Sequence, residues 1–220
     1  MNAWGKLIRG DALRPSRLHT EAHIFCGLDA LPGLFPAGWT WMRARLTGHR
    51  IVKPWWVWNA IRFVERELRP TDRVLEVGSG YSTIWLAQRC AKVVSIEESP
   101  QWRAHVEQNA QLHGLTNIKL ESGGSLQLFR QMLSQNRWDV VVIDGPNDRL
   151  EIFRHLLSDQ PEKHPRMVIY DNTDRLKDRE APSLSEANNY CVKTFRGFAP
   201  QTVHATETAV FLKGNLTKTT

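Results

Sequence analysis

The chain has 220 residues, enough for one α/β domain with an extension, and 41% of them are hydrophobic, enough for a substantial core. No apolar run approaches the roughly 20 residues of a membrane span, the N-terminus lacks a signal peptide's long apolar region, and the three scattered cysteines (Cys26, Cys90, Cys191) argue against a disulfide framework or a cysteine metal cluster; a cytoplasmic location is expected. The formal net charge of +6 and the sequence pI of about 9.5 admit an anionic partner, either nucleic acid, an acidic sugar or a membrane surface. The basic residues are dispersed, however (Arg43, Arg45, His49, Arg50, Lys53, then Arg62, Arg66 and Arg69), which reads as a solvated basic face rather than a nucleic-acid-binding block.

Residues 1–50 read as an irregular or helical extension. The segment 31–38, LPGLFPAG, is too rich in Pro and Gly for a regular helix. Five of the nine tryptophans follow closely: Trp39, Trp41, Trp55, Trp56 and Trp58. Pro54 is placed to open a helix that runs through 55–68 and stops before Pro70. These rings are expected to pack the extension onto the rest of the fold, with an aromatic wall over a binding pocket as the alternative; an oligomer contact, a dimer for instance, is left open. The chain divides into a cover (1–70), a cofactor-binding domain (71–214) and a tail (215–220).

From Asp72 onward strand and helix alternate with short links, the pattern of a parallel sheet covered on both faces. Strands are expected near 73–77, 92–96, 117–121, 138–143 and 166–170, and helices near 82–90, 100–113, 124–135 and 148–158. Ser99-Pro100 supplies a cap and a first helical position, and Gly114 a stop. A polar loop runs from Asp171 to about Ser185. A short helix and two strands, 191–195 and 207–213, close the chain.

The most informative segment is 74–83, VLEVGSGYST. An apolar strand carries Glu76 near its end, then turns through Gly78, Ser79 and Gly80 into a helix that starts with Tyr81 and Ser82. Such a turn lets the backbone approach a ligand closely, and the helix start offers unpaired N–H groups to it. The next strand, 93–96, ends in Glu97, where an acidic residue can accept hydrogen bonds from ribose hydroxyls. An adenosine-containing cofactor follows. The dinucleotide fingerprint is a poor match: its third glycine is Thr83 here, and Glu76 would repel a pyrophosphate. A cofactor bearing a cation suits Glu76 better.

With these residues the chain resembles the class I S-adenosylmethionine-dependent methyltransferases, whose main signature is E-x-G-x-G followed by a ribose-binding acid. The resemblance implies a doubly wound, mostly parallel seven-stranded sheet of Rossmann-like type, with the last two strands forming a hairpin and the final strand antiparallel. It implies that Glu76 helps hold the methionine ammonium, that Gly78, Ser79, Gly80, Tyr81 and Ser82 line the methionine end, and that Glu97 anchors the ribose. Gly123 and Ser125 match the segment that small-molecule O-methyltransferases of the catechol O-methyltransferase-like type place near adenine, although Gly124 replaces an acid common there. Asp144, at the end of the strand in 138–143, and the later pair Asp171-Asn172 match the positions that bind Mg²⁺ in those enzymes. The catalytic lysine of those relatives is Asn147 here, which leaves Asp144, Asp171, His164 or another loop residue as the base. The implied activity is methyl transfer to an oxygen of a small molecule or sugar. RNA methylation, an NAD-linked oxidoreductase and a catalytically silent cofactor-binding partner protein are the alternatives. The histidines show no zinc-site spacing.

Overall fold

A computed structural model describes residues 9–145 and 148–214; the tail 215–220 and Asn147 lie outside the described residues. Seven strands form one sheet: β1 (Arg73–Val77), β2 (Lys92–Ile96), β3 (Ile118–Glu121), β4 (Val140–Ile143), β5 (Met167–Asp171), β6 (Tyr190–Phe198) and β7 (Ala205–Lys213). Their order is β3-β2-β1-β4-β5-β7-β6, and only β7 runs against the rest. The helices are α1 (Leu31–Thr47), α2 (Trp58–Glu67), α3 (Tyr81–Ala87), α4 (Pro100–Leu112), α5 (Ser125–Gln135), α6 (Arg149–Ser158) and α7 (Ala181–Ala187). This is the expected doubly wound, mostly parallel seven-stranded sheet, and β6 and β7 each extend beyond the expected strands.

The central strands are apolar on both faces because helices cover both. Alternation sends Leu75, Val77, Val141, Ile143, Val168 and Tyr170 to one face, where Phe129 of α5 and Phe153 of α6 meet them. Val74, Val140, Val142 and Ile169 face the other way, against Trp56, Ile61, Val64, Trp85 and Leu86. The helix α2 therefore shares its core with the sheet. It begins at Trp58 rather than 55, and the stretch before it is irregular, with Trp56 fully buried.

The segment 31–38 corrects the expectation of an irregular chain, since it is the first half of the 17-residue helix α1. Pro32 falls in the first turn, where a missing N–H costs nothing. Pro36 lies inside the helix and removes one bond, a loss that packing offsets. Gly33, Ala37 and Thr40 are buried along one face, and Ala37 joins Cys26, Ala30, Phe198 and Ala205 in a small core of its own.

The extension is tied to the sheet by specific bonds. The Val57 N–H donates to Thr208 Oγ1 (3.1 Å), and that hydroxyl donates to Asp171 Oδ1 (2.6 Å). Ala205 N–H donates to Arg17 O (2.7 Å), and Gln201 N–H to Thr40 Oγ1 (2.9 Å). Among the described residues no helix is long and apolar enough to cross a membrane. Replacing Thr208 with Val keeps the shape and strands both buried partners, so the variant should lose about 1–3 kcal/mol of stability in urea unfolding; an unchanged midpoint would show that the bond to Val57 does not hold the extension down.

Candidate functional site

Register alone places four residues on one edge. Val77 of β1 pairs with Ile96 of β2 and Ile143 of β4, and Ile143 pairs with Tyr170 of β5. The next residue on each strand is Gly78, Glu97, Asp144 or Asp171, so these form a row at the carboxyl edge of the sheet, where open α/β sheets bind ligands. A cavity of about 590 Å³ opens there. Of the residues singled out in the sequence, Gly78, Ser79, Gly80, Tyr81, Ser82, Glu97, Asp144, Asp171 and Asn172 line it. Glu76, Gly123 and Ser125 do not. Glu76 is fully buried beneath the glycine turn, and Ser125 gives its backbone N–H to Glu98 Oε1 (2.8 Å) at the start of α5. His164 sits before β5, at the opposite edge of the sheet, bonded to Asp159 O.

The glycine turn is dictated by crowding. Gly78 has φ +91°, and a Cβ there would lie 2.6 Å from the Gly145 nitrogen and 2.8 Å from the Asp144 carbonyl carbon. Neither atom can step aside, because Asp144 N–H donates to Val77 O and Gly78 N–H to Ile96 O. Below the turn, Glu76 Oε2 accepts from Thr83 Oγ1 (2.5 Å) and Ser95 Oγ (2.7 Å), and Thr83 Oγ1 accepts from Gly80 N–H (2.9 Å). The residue in the place of the third glycine is thus a strut between the turn and a buried carboxyl. Glu76 Oε1 has no partner among the described residues. Burial pushes the Glu76 carboxyl up to about 7, against the opposing effect of the nearby Ser82, Thr83 and Ser95 hydroxyls.

Glu97 holds the turn from the other side. Its Oε2 accepts from Ser79 N–H (3.1 Å) and its Oε1 from Ser99 N–H (2.8 Å). Each oxygen keeps a second lone pair for a ligand hydroxyl. Trp102 donates its indole N–H to Ser79 O and stacks on His105. Trp102 and Ser99 line the cavity too; Ser99 is expected only as a helix cap, and Trp102, whose signal was only that α4 starts one strand end away from the turn, was not singled out in the sequence.

The far end of the cavity is acidic at its floor and mixed at its rim. Asp144 Oδ2 accepts from Trp56 Nε1 (3.2 Å). Burial raises the Asp144 carboxyl to about 6, against the pull of the Arg149 charge. Asp171 is pushed well above its usual range by burial and by the Asp144 charge. The rim comes from segments the sequence left vague: Arg14 and Glu21 of the extension, Arg175 of the 172–180 loop, and Thr202, His204 and Thr206 before or within β7. Arg14 pairs with Glu21 at 2.8 Å, and Glu21 N–H donates to Asp174 Oδ2 at 2.8 Å, so extension and loop close over the cavity together.

The donor set Asp144, Asp171 and Asn172 does not fit a divalent cation. Arg149, itself fully buried, directs its guanidinium to Asp171 O (3.0 Å) and Asn172 Oδ1 (3.4 Å), and Thr208 already occupies Asp171 Oδ1. A fixed positive charge thus stands beside the oxygens that the Mg²⁺ expectation requires. Among the described residues no group of three or more His, Cys, Asp or Glu side chains could hold a metal. An adenosine-bearing cation is a better match to the site. The backbone at Gly78 leaves no side chain in its way, and Glu97 has free acceptor capacity.

The comparisons agree with this geometry. The profile of the family "Protein-L-isoaspartate(D-aspartate) O-methyltransferase" matches residues 40–139. A protein-L-isoaspartate O-methyltransferase of Methanoculleus marisnigri is 38% identical over 123 residues, 55% of this chain and 52% of that one. An uncharacterized RNA methyltransferase of Bacillus cereus is 30% identical over 106 residues, 47% of this chain and 23% of that one. The chain therefore spans between about a quarter and a half of these two relatives. The structure of an O-methyltransferase from Bacillus cereus, solved with SAH, superposes with a TM-score of 0.59 at 19% identity, covering 83% of this chain and 91% of that one. The chain has the class I S-adenosylmethionine-dependent methyltransferase fold.

Two outcomes follow from the turn. Gly78→Ala should cost about 2 kcal/mol or more, since backbone must shift to admit the methyl; thermal unfolding equal to wild type would contradict the close approach. The protonated form of Glu76 is favoured in the folded state. Stability from this group is therefore complete below its unfolded value of 4.5 and is lost as pH rises through about 7. Melting temperature measured across that range should fall for the ligand-free wild type, and Glu76→Gln should flatten the slope.

Proposed function

We propose that the chain is an S-adenosylmethionine-dependent methyltransferase that methylates an oxygen of a small molecule or sugar. The observation that carries this reading is the row Gly78, Glu97, Asp144 and Asp171 on one edge of the sheet, with a cavity of small-molecule size above it. The cofactor would supply a methyl group already activated on a sulfonium. Glu97 would take the ribose hydroxyls, and Ser79, Gly80, Tyr81 and Ser82 would line the methionine end. Glu76, which does not reach the cavity wall, would set the shape and charge of the turn from below. Gly123 and Ser125, beyond β3, would bound the adenine side.

The Asp144 and Asp171 carboxyls would serve the acceptor. Burial raises both carboxyls, and the Asp144 charge pushes Asp171 further toward its neutral form, so Asp144 is the member that would ionise and accept the proton of the attacking hydroxyl. Arg149 balances the charge left behind, and Trp56 fixes Asp144 for the transfer. Most of the rate would come from positioning, since extension and loop enclose the acceptor and exclude water. An RNA acceptor is the second reading, favoured by the basic surface and by the relatives named as RNA methyltransferases; a strongly salt-dependent affinity for RNA would support it.

Calorimetric titration with S-adenosylhomocysteine tests the reading. Wild type should bind, and Glu97→Ala should lose most of that affinity; no heat and no thermal shift with wild type would overturn it. On any acceptor that the wild type methylates, kcat/KM should rise with pH through about 6 as Asp144 ionises. Asp144→Asn should remove that rise and lower turnover about 100-fold or more.

A further inference from the structure

A second cavity, of about 430 Å³, adjoins the first. Trp55 and Thr202 line both, so the two cavities share a wall. Its remaining wall includes Trp41 and Arg45 of α1, Arg50, and Gln201. Each arginine lies over an indole: Arg45 Cζ is 5.2 Å from the Trp41 ring centre, and Arg50 Cζ is 5.4 Å from that of Trp55. Both arginines are exposed, and among the described residues neither guanidinium pairs with a carboxylate. Both indoles keep open surface, 36% for Trp41 and 42% for Trp55.

The Gln201 backbone is left-handed (φ +62°), held there by the bond to Thr40. Its side-chain Nε2 reaches Ile51 O at 3.5 Å, and its buried Oε1 has no donor among the described residues. That oxygen is closed off from the cavity, so it is the rest of the Gln201 residue that forms wall.

We propose that this cavity is the acceptor subsite and that it binds a hydroxylated ring carrying an anionic group, the chemistry shared by uronic acids and sugar phosphates. The indole faces stack on the ring, and the two guanidiniums without carboxylate partners take the anion with charge-assisted hydrogen bonds. The shared wall of Trp55 and Thr202 places such a ring next to the cavity that Asp144 and Asp171 line, within reach of those carboxyls once it crosses that wall. The proposal rests on the methyltransferase reading for that last step, but the binding does not. The cavity's volume suits one or two rings, and the positive charge that reads as a bland surface in the sequence becomes local and directed here.

The test is ligand-observed NMR and calorimetry on the full chain, with glucuronate, glucose 1-phosphate, neutral methyl glucoside and a short single-stranded RNA as probes, each with and without S-adenosylhomocysteine. One or both sugar anions should bind, methyl glucoside at least about tenfold more weakly. Whether carboxylate or phosphate is preferred separates the two sources. Arg50→Gln and Trp41→Ala, both outside the cofactor site, should each weaken the anion about tenfold while leaving S-adenosylhomocysteine affinity unchanged. Cofactor binding without any sugar-anion binding, or anion binding unaffected by both variants, would overturn the proposal and leave the methyltransferase reading standing. Anion binding without cofactor binding would do the reverse. RNA bound far more tightly than either sugar anion, with steep salt dependence, would also overturn it.

Discussion

At the end of β1 the chain passes so close to the end of β4 that no side chain fits between them. Gly78 lies against the backbone of Asp144 and Gly145, and the hydrogen bonds of both strands hold that approach in place. Everything at the site depends on it. The turn through Ser79 and Gly80 clears the space above the sheet, Glu97 and Trp102 grip the turn from β2 and α4, and the Thr83–Glu76 strut braces it from below. Gly80, by contrast, is extended, and a methyl group there would make only ordinary contacts with Ser82 and Trp102. The two glycines of the motif therefore have different reasons for being glycine, the first required by the fold itself.

The electrostatics of the cavity follow from burial rather than from ions. Three carboxyls, Glu76, Asp144 and Asp171, sit where water cannot solvate them, and each is pushed toward its neutral form. The compensating charge is Arg149, which is paired at 3.5 Å with the equally buried Asp178 and bonded to the end of β5. That guanidinium is fixed by the fold, so a positive charge stands permanently beside the buried carboxyls. Tyr170 donates to Asp178 (2.8 Å) and completes this buried set.

The sheet and its carboxyl edge were legible in the sequence because short, doubly apolar strands ending in Gly or an acid leave little choice of register. Strands β1 to β5 fall within a residue or two of expectation, and Gly78, Glu97, Asp144 and Asp171 come together as a row for that reason. What was not legible depends on distant packing. Helix α1 forms through two prolines and two glycines because Gly33, Ala37 and Thr40 pack beneath it, a tertiary effect that local propensity opposes. Glu76 looked like a ligand-facing acid and is an internal one, since its partners Ser95 and Thr83 could not be paired with it by spacing alone. Arg149 carried no signal beyond a helix start, and the rim residues Arg14, Glu21, Arg175 and His204 are brought together from three separate segments of chain.

The most direct test of the central claim is a crystal structure of the full chain with S-adenosylhomocysteine. The account predicts ribose hydroxyls on Glu97, the sulfur above the Gly78–Gly80 turn on the side of Asp144, and a backbone at Gly78 unmoved from its contact with Gly145. A ligand bound away from Glu97, or a turn that must open to admit it, would contradict the account.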